Sequence, residues 1–510
     1  MKEPVQNHEA SAGRVLLWTA VNLLSIYPSI YPSSLTDTSL LQLELREYSS
    51  SSNESQYHYH DEEKKEPTFE ELRGVHARRH ISPNQVIMSI PRRCLITVEM
   101  GQVTPIGQAI LHADLDLDAP KHIFLMIYIL WDRKVHGARS FFAPYYDILP
   151  PTLSNMPIFW TPQELKELQG SHLVHQIRDR QQAIADDYHA ICQIAPSFAD
   201  LCTLQEFEWA RMCVCSRNFG LQIDGHRTSA LVPHADMLNH YRPRETKWTF
   251  DEHLQAFTIT SLQAIGQGAQ VYDSYGQKCN HRFLLNYGFA CEVNQELDGF
   301  CPNEVPLELS AVLPHATAAV SGQTFEPQRV RICVSNNENT RLLFSLLRAL
   351  ASGDRSSSCR DIRHPLSISN ERMALQLLLE LVHFHLAQYP TSLAQDVADL
   401  ANERAFPKFS NLRHAKIQVK GEKEVLHHFG EWAKKGLEVL AILEEEQGSV
   451  EVQLNAQGRV VTEEKSRSFE QAIRRLERDE SVHHTILRYC ADVLGSLRRD
   501  EFKSRRSTYI

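Results

Sequence analysis

The sequence contains no C-x-x-C pair, although it carries eleven cysteines. Scattered and odd in number, they indicate neither a disulfide framework nor a structural zinc site, so reduced thiols in the cytosol or nucleus are expected. There is no Walker loop, no G-x-S-x-G elbow and no G-x-G-x-x-G turn after a strand. Those absences remove the sequence grounds for nucleotidase, hydrolase and Rossmann readings. Positive charge is in short supply, with 53 Lys and Arg against 63 Asp and Glu and a formal net charge of -10. Phosphate binding depends on clusters of Lys and Arg, so no nucleic acid is expected as a partner. The apolar stretch VLLWTAVNLLSIY, residues 15–27, is too short to span a bilayer, and Glu3 and Glu9 ahead of it make a poor signal-peptide start. It reads as a docking helix, and no membrane association is expected.

What is present is the composition of an ordinary soluble globular protein, 42% hydrophobic and 23% charged, over 510 residues that suffice for two or more cores. Residues 49–67, SSSSNESQYHYHDEEKKEP with its first serine at 49, are polar and nearly free of aliphatics, so residues 1–66 read as an extension and linker and folded structure is expected from Thr68. Short β-branched runs broken by turn residues, as in ISPNQVIMSIP, predict small antiparallel strands. Residues 105–215 turn helical: KHIFLMIYILWDRKV is apolar at helical spacing, and Thr161-Pro162 supplies an N-cap with proline at N1. Strands return in RTSALVPHADML and AFTITSLQAIGQGAQVYDSYG, with LLNYGF (284–289) a further candidate strand. Beyond residue 295, Ala374, Leu377, Leu378, Leu381 and Val382 follow the stripe of a packed helix, and a separate all-helical domain over 295–510 is predicted, with polar joints such as Ser356–Ser358.

The chemistry is sought where apolar runs end in polar groups. LVPHADMLNHY, residues 231–241, is a core-like segment that finishes in Asp236, Asn239 and His240, and a buried polar group costs roughly 2–7 kcal/mol unless something bonds it. CSRNFG (215–220), VYDSYG (271–276) and NHRFLLNYGF (280–289) have the same character. Each has a plain structural reading: Arg217 as a surface charge, Asn239 and His240 as strand-end caps, Tyr275-Gly276 as a turn. His234 and His240, with Asp236 between them, lack a third and fourth ligand at zinc spacing, so no metal is expected.

The order of these stretches carries more than any one of them. RGVHA, LITVE, a helical block, then SR, DMLNH and Y-x-x-YG resemble the SET-domain methyltransferases. SFFAPYYDILP resembles that family's segment ahead of the first long inserted helix, and NLRHAKIQVKGEKEVL resembles part of the helical substrate-binding domain of the subgroup typified by the Rubisco large-subunit lysine methyltransferase and the actin-histidine methyltransferase. The resemblance covers roughly residues 68–450. It implies an α+β fold: a SET β-fold of short strands over 67–294 with a knot-like crossing, one of the rare exceptions to unthreaded chains, and a helical insertion at about 105–215. An all-α substrate-binding domain follows.

The resemblance further implies S-adenosyl-L-methionine as cofactor. Asn239 would bond its methionine portion and the His240 backbone its adenine edge; Arg217 would face the carboxylate and Glu99 the ribose. Gly74 and His76 belong to the first cofactor loop, and Asp236 borders both cofactor and substrate. Tyr275 would stand at the junction of the two channels as the catalytic residue. Leu72 occupies the place of the family's first loop glycine, so that loop is expected to follow a different path or to bind the cofactor less tightly. Phe219, Ala235 and Tyr287 would line the substrate channel, and their apolar, roomy character predicts Nε-lysine methylation. The resemblance implies a folded protein, expected to be a non-histone one, as the substrate, and a monomeric enzyme is expected. Histidine methylation, or a catalytically weak protein-binding module on the same fold, are the alternatives.

Overall fold

The computed structural model describes residues 42–47, 73–309, 329–335, 337–352, 364–451 and 467–497. The apolar stretch 15–27, the linker 49–67, Leu72 and the joint at Ser356–Ser358 lie outside the described residues. No helix among the described residues is long and apolar enough to cross a membrane. The chain divides into two compact units, one of Met1–Glu167, Leu173–Gly299 and Asn402–Ile417, the other of Leu168–His172, Phe300–Ala401 and Gln418–Ile510.

The first unit is built on short strands: β1 (Leu43–Glu47), β2 (Arg73–Ala77), β3 (Val86–Pro91), β4 (Ile96–Thr97), β5 (Asn218–Ile223), β6 (His226–Leu231), β7 (Asn239–His240), β8 (Thr246–Asp251), β9 (Ala256–Ser261) and β10 (Tyr272–Asp273). They form four small sheets: β1-β2, β3-β9-β8, β4-β6-β5 and β10-β7. All pairs are antiparallel except β7 with β10, which run parallel. Strand β1 corrects one expectation. The fold begins ahead of Thr68, because Leu43–Glu47 pairs in register with Ala77–Arg73 and buries Leu43.

Helices between β4 and β5 form the inserted block. Thr104 caps Pro105–Ala113 by accepting from Gly107 N at 3.0 Å, with proline at N1. The apolar helix Pro120–His136 buries Ile123–Ile127, Ile129 and Leu130. The helix Leu204–Arg217 opens on a capping box of Thr203 and Glu206 and ends where β5 begins. Asn218 Nδ2 donates to Val214 O at 2.8 Å, so the first strand residue satisfies a carbonyl left over at the helix end. Arg217 is thereby fixed at a helix-to-strand junction.

LLNYGF is not a strand. Asn280–Tyr287 is a helix that buries Asn280, His281, Phe283, Leu284 and Leu285 and ends at Gly288 with φ 79°. That left-handed C-cap suits glycine, and a Cβ there would stand 2.3 Å from Asn155 Nδ2. An apolar run of this length looks the same in a strand and in a buried helix, which is why periodicity alone misassigned it.

The second unit holds the helices Asn337–Ser352, Ile368–Leu386, Leu393–Ala401, Arg467–Arg478 and His484–Arg488, but it is not all-helical as expected: β11 (Glu304–Glu308) and β12 (Arg329–Cys333) pair antiparallel, their short alternation too slight to stand out from the sequence beside the helical stripes. Of the predicted stripe, Ala374, Leu378, Leu381 and Val382 are buried. Its buried charges are paired, as such groups must be. Arg348 meets Glu371 through two bonds of 2.6 and 2.7 Å, and Tyr489 adds a third at 2.6 Å. The NLRHAKIQVKGEKEVL segment opens the long helix Asn411–Glu451. In the first unit, Asn411 Nδ2 donates to Ser154 O and Glu164 Oε1, and Arg413 pairs with Glu292 at 2.8 Å. In the second, Glu422 accepts from Ser171 and Tyr389, and Lys423 pairs with Asp396.

Candidate active site

The segment that ends β6 cannot continue as a strand, because His234 takes φ 77°, a conformation that costs a non-glycine residue on the order of 1–3 kcal/mol. A single 3-10 turn, Ala235–Met237, follows, and Asn239-His240 then pairs in parallel with Tyr272-Asp273. A further bond, Tyr241 N to Asp273 O at 3.0 Å, extends this crossing. Two segments about thirty residues apart in the chain are therefore locked side by side, with Asn239 opposite Tyr272 and His240 opposite Asp273.

Around the turn is a buried ionic centre. Asp236 has a fully buried side chain, and its Oδ2 accepts from Tyr145 at 2.7 Å and from Arg217 Nη1 at 3.3 Å. The same Nη1 donates to the Asp236 carbonyl at 3.0 Å. Burial pushes the Asp236 carboxyl above the usual carboxylate range, and Arg217 and Tyr145 pull it back. Asp236 Oδ1 and Arg217 Nε are buried with no hydrogen-bond partner. Orphaned polar atoms of this kind are rare in folded proteins, and at a functional site they call for a ligand.

Beside this centre Asn239 Nδ2 donates to Arg73 O at 2.9 Å and to Gln270 Oε1 at 2.8 Å, which ties β7 to the edge of β2. His240 accepts at Nδ1 from Tyr275 N at 3.0 Å. Its ring must then be neutral, and burial together with Arg242 and Lys278 pushes its pKa down to about 3. Tyr275 is held at both ends, since its hydroxyl donates to Leu238 O at 2.8 Å. Its ring lies between those of His240 (5.2 Å) and Tyr287 (4.8 Å), stacked on each. Phe283, Phe289 and Phe409 pack into the same cluster. Burial raises the Tyr275 hydroxyl well above its ordinary pKa, so it stays protonated and acts as a donor, not as a base.

The structure thus brings together Arg217, Asp236, Asn239, His240, Tyr275 and Tyr287, with Ala235 buried in the turn at their centre. Gly74 and His76 lie on β2, whose Arg73 carbonyl touches Asn239; the His76 ring bonds Gly268 O at 2.8 Å. Glu99 is exposed and accepts from Thr228 at 3.3 Å, with no hydrogen bond to the others. The Phe219 ring packs edge-on against Trp248 (5.4 Å) and Phe257 (5.0 Å), whereas the ring neighbours of Tyr287 are Tyr275, Phe283 and Phe289. Those two residues share no ring contact. Sequence reading missed Tyr145 and Arg242. The first stands in the quoted SFFAPYYDILP without a role, and only an unpaired Asp236 in the core could have signalled its need for a donor.

Residues 328–426 match the Rubisco LSMT substrate-binding family. The actin-histidine N-methyltransferase of Papio anubis is 25% identical over 389 residues, covering 70% of this chain and 63% of its own. The SET domain of LSMT bound to lysine and AdoHcy superposes with a TM-score of 0.63 at 21% identity, over 88% of this chain and 97% of that one. The chain has the SET-domain fold of LSMT. Rubisco LSMT bound to AdoMet gives a TM-score of 0.60 at 21% identity, over 88% of this chain and 98% of its own. This chain spans 63% of the length of the actin-histidine methyltransferase it matches. The α+β expectation, with a SET β-fold and a helical substrate-binding region of the Rubisco LSMT type, therefore holds.

Proposed function

We propose that this SET-fold chain is an S-adenosylmethionine-dependent protein methyltransferase that modifies a lysine side chain of a folded non-histone protein in the cytosol or nucleus. The observation that carries this reading is Tyr275, buried in an aromatic stack with its hydroxyl fixed on Leu238 O beside the orphaned polar atoms of Arg217 and Asp236. The residues present fit the cofactor. Arg217 Nε is a buried donor without a partner, suited to a carboxylate, and Asn239 lies on the parallel crossing next to it. When bound, the cofactor would supply a methyl group already activated by a sulfonium.

The chain's own task is then alignment and exclusion of water. Tyr275 donates its only hydroxyl proton to Leu238 O, so its oxygen lone pairs are left to accept weak C–H contacts from an electron-poor methyl group. An acceptor amine must be neutral, and desolvation beside a cationic sulfonium would favour that state. Lys278, whose ammonium bonds Tyr275 O and lies 5.8 Å over the Tyr287 ring, has its pKa lowered by burial first and then by Arg282 and Arg242. Lysine is favoured over histidine because the small Ala235, buried in the turn that leads to β7, leaves depth for a lysine's methylenes, and the Tyr287 ring stacked on Tyr275 supplies an aromatic wall. Histidine is the second reading, favoured by the naming of the relative from Papio anubis. The helical region supports a protein as the substrate, through its match to a substrate-binding family.

Mass-spectrometric mapping of the modified partner decides between the two. Lysine is expected to carry the methyl group. A methylated histidine with unmodified lysines would overturn the choice of nucleophile.

A further inference from the structure

We infer that Arg242 is a positioning residue that holds Tyr275 from two sides, an inference that rests on the reading of Tyr275 as the tyrosine of the transfer site. Arg242 follows β7 by two residues, and its side chain is only 10% exposed. Its guanidinium is spread over four contacts. Nη2 donates to Gly276 O at 2.8 Å, Nη1 donates to Asn294 Oδ1 at 2.6 Å, and Nε lies 3.1 Å from Glu296 Oε1. Its central carbon stands 5.3 Å over the Phe283 ring.

Two of those contacts lead back to Tyr275. Gly276 is the residue that follows it and has φ 93°, a left-handed turn that glycine adopts without strain. Asn294 in turn donates from Nδ2 to Lys278 O at 3.0 Å. Arg242 and Asn294 therefore close a ring of hydrogen bonds across the turn 276–278, immediately after Tyr275. On the other side, the Phe283 ring under the guanidinium packs 4.9 Å from His240, whose Nδ1 accepts from Tyr275 N. One planar cation thus braces both the backbone that leaves Tyr275 and the ring partner that fixes its amide.

Only a fork of donors can do this. A lysine ammonium at the same place keeps the charge but is a single point, unable to bond Gly276 O and Asn294 Oδ1 while covering Phe283. Because alignment of reacting groups tolerates little displacement, a loosened turn should lower turnover far more than cofactor affinity, since Arg242 makes no bond to Arg217 or Asn239. The charged neighbours of the clamp are Glu296, Lys278, Arg282 and Asp273; Gly276 O also accepts from Lys278 N at 3.0 Å, but that bond lies within the turn, and Arg242 supplies the bond that ties the turn to β7.

The test uses the full chain with Arg242→Lys, Asn294→Ala and the double variant. The first readout is hydrogen exchange of the peptide containing Tyr275 and Gly276, which does not require turnover. Exchange there is expected to rise about tenfold in each variant with the rest of the chain unchanged. The second is steady-state kinetics. Each single variant is expected to lower kcat about tenfold with KM for both substrates held, and the double variant to lose little more, because the two residues act as one unit. Unchanged exchange in both single variants would overturn the clamp whatever the activity, as would wild-type kcat in Arg242→Lys. Faster exchange in a chain whose wild type turns over no substrate would leave the clamp and remove the methyltransferase reading instead.

Discussion

Tyr275→Phe is expected to lower turnover by on the order of 10²-fold or more while leaving cofactor affinity nearly unchanged. The substitution removes one oxygen and keeps the ring, so the stacks on His240 at 5.2 Å and Tyr287 at 4.8 Å persist. The amide of Tyr275 also keeps its bond to His240 Nδ1. What is lost is the hydroxyl that Leu238 O holds in place, whose oxygen would contact an electron-poor methyl group most strongly during its transfer. An interaction made mainly in the transition state appears in kcat and not in ground-state binding. The orphaned Leu238 carbonyl costs some stability, about 1–3 kcal/mol if water cannot reach it, so folding is checked first. A variant with wild-type kcat would take Tyr275 out of the mechanism.

Asp236→Ala is expected to cost about 3–5 kcal/mol of folding stability, the scale for breaking a buried pair by removing one partner. Arg217 is anchored by the helix Leu204–Arg217 and loses its carboxylate partner with no route to solvent for most of its side chain, which is 16% exposed. Tyr145 loses its acceptor in the same step. Asp236→Asn keeps an oxygen for both donors and should cost markedly less. Denaturant unfolding reads both variants. A loss under about 1 kcal/mol for the alanine variant would mean that the pair is not the structural centre of the turn.

These two residues also show what the sequence made legible and what it did not. Asp236, Asn239, His240 and Tyr275 could be read because they sit in short ordered motifs at fixed places along the chain, and the parallel crossing of β7 with β10 brings those motifs together. The helical block was legible through Thr caps and apolar spacing, since both are local properties. Tyr145 was not, because its role exists only through Asp236, ninety-one positions away. Arg242 was hidden for the same reason: its partners Gly276 and Asn294 lie 34 and 52 positions on, and a single arginine after an Asn-His pair reads as surface charge. Phe219 was placed in the chain correctly as the residue two after Arg217, yet its ring turns onto Trp248 and Phe257, an orientation that β5 pairing sets and sequence spacing does not. The strand β1 escaped notice because five residues, LELRE, carry too little pattern to stand out beside a polar stretch.

The central claim is that the crossing of β7 with β10 is a cofactor site, and calorimetric titration of the full chain with S-adenosylmethionine tests it most directly. The account predicts saturable binding to the wild type and clearly weaker binding to Asn239→Ala, whose lost side chain unties β7 from Arg73 and Gln270 as well as removing an adenosylmethionine contact. No binding to the wild type at millimolar cofactor, or equal binding to both proteins, would contradict it.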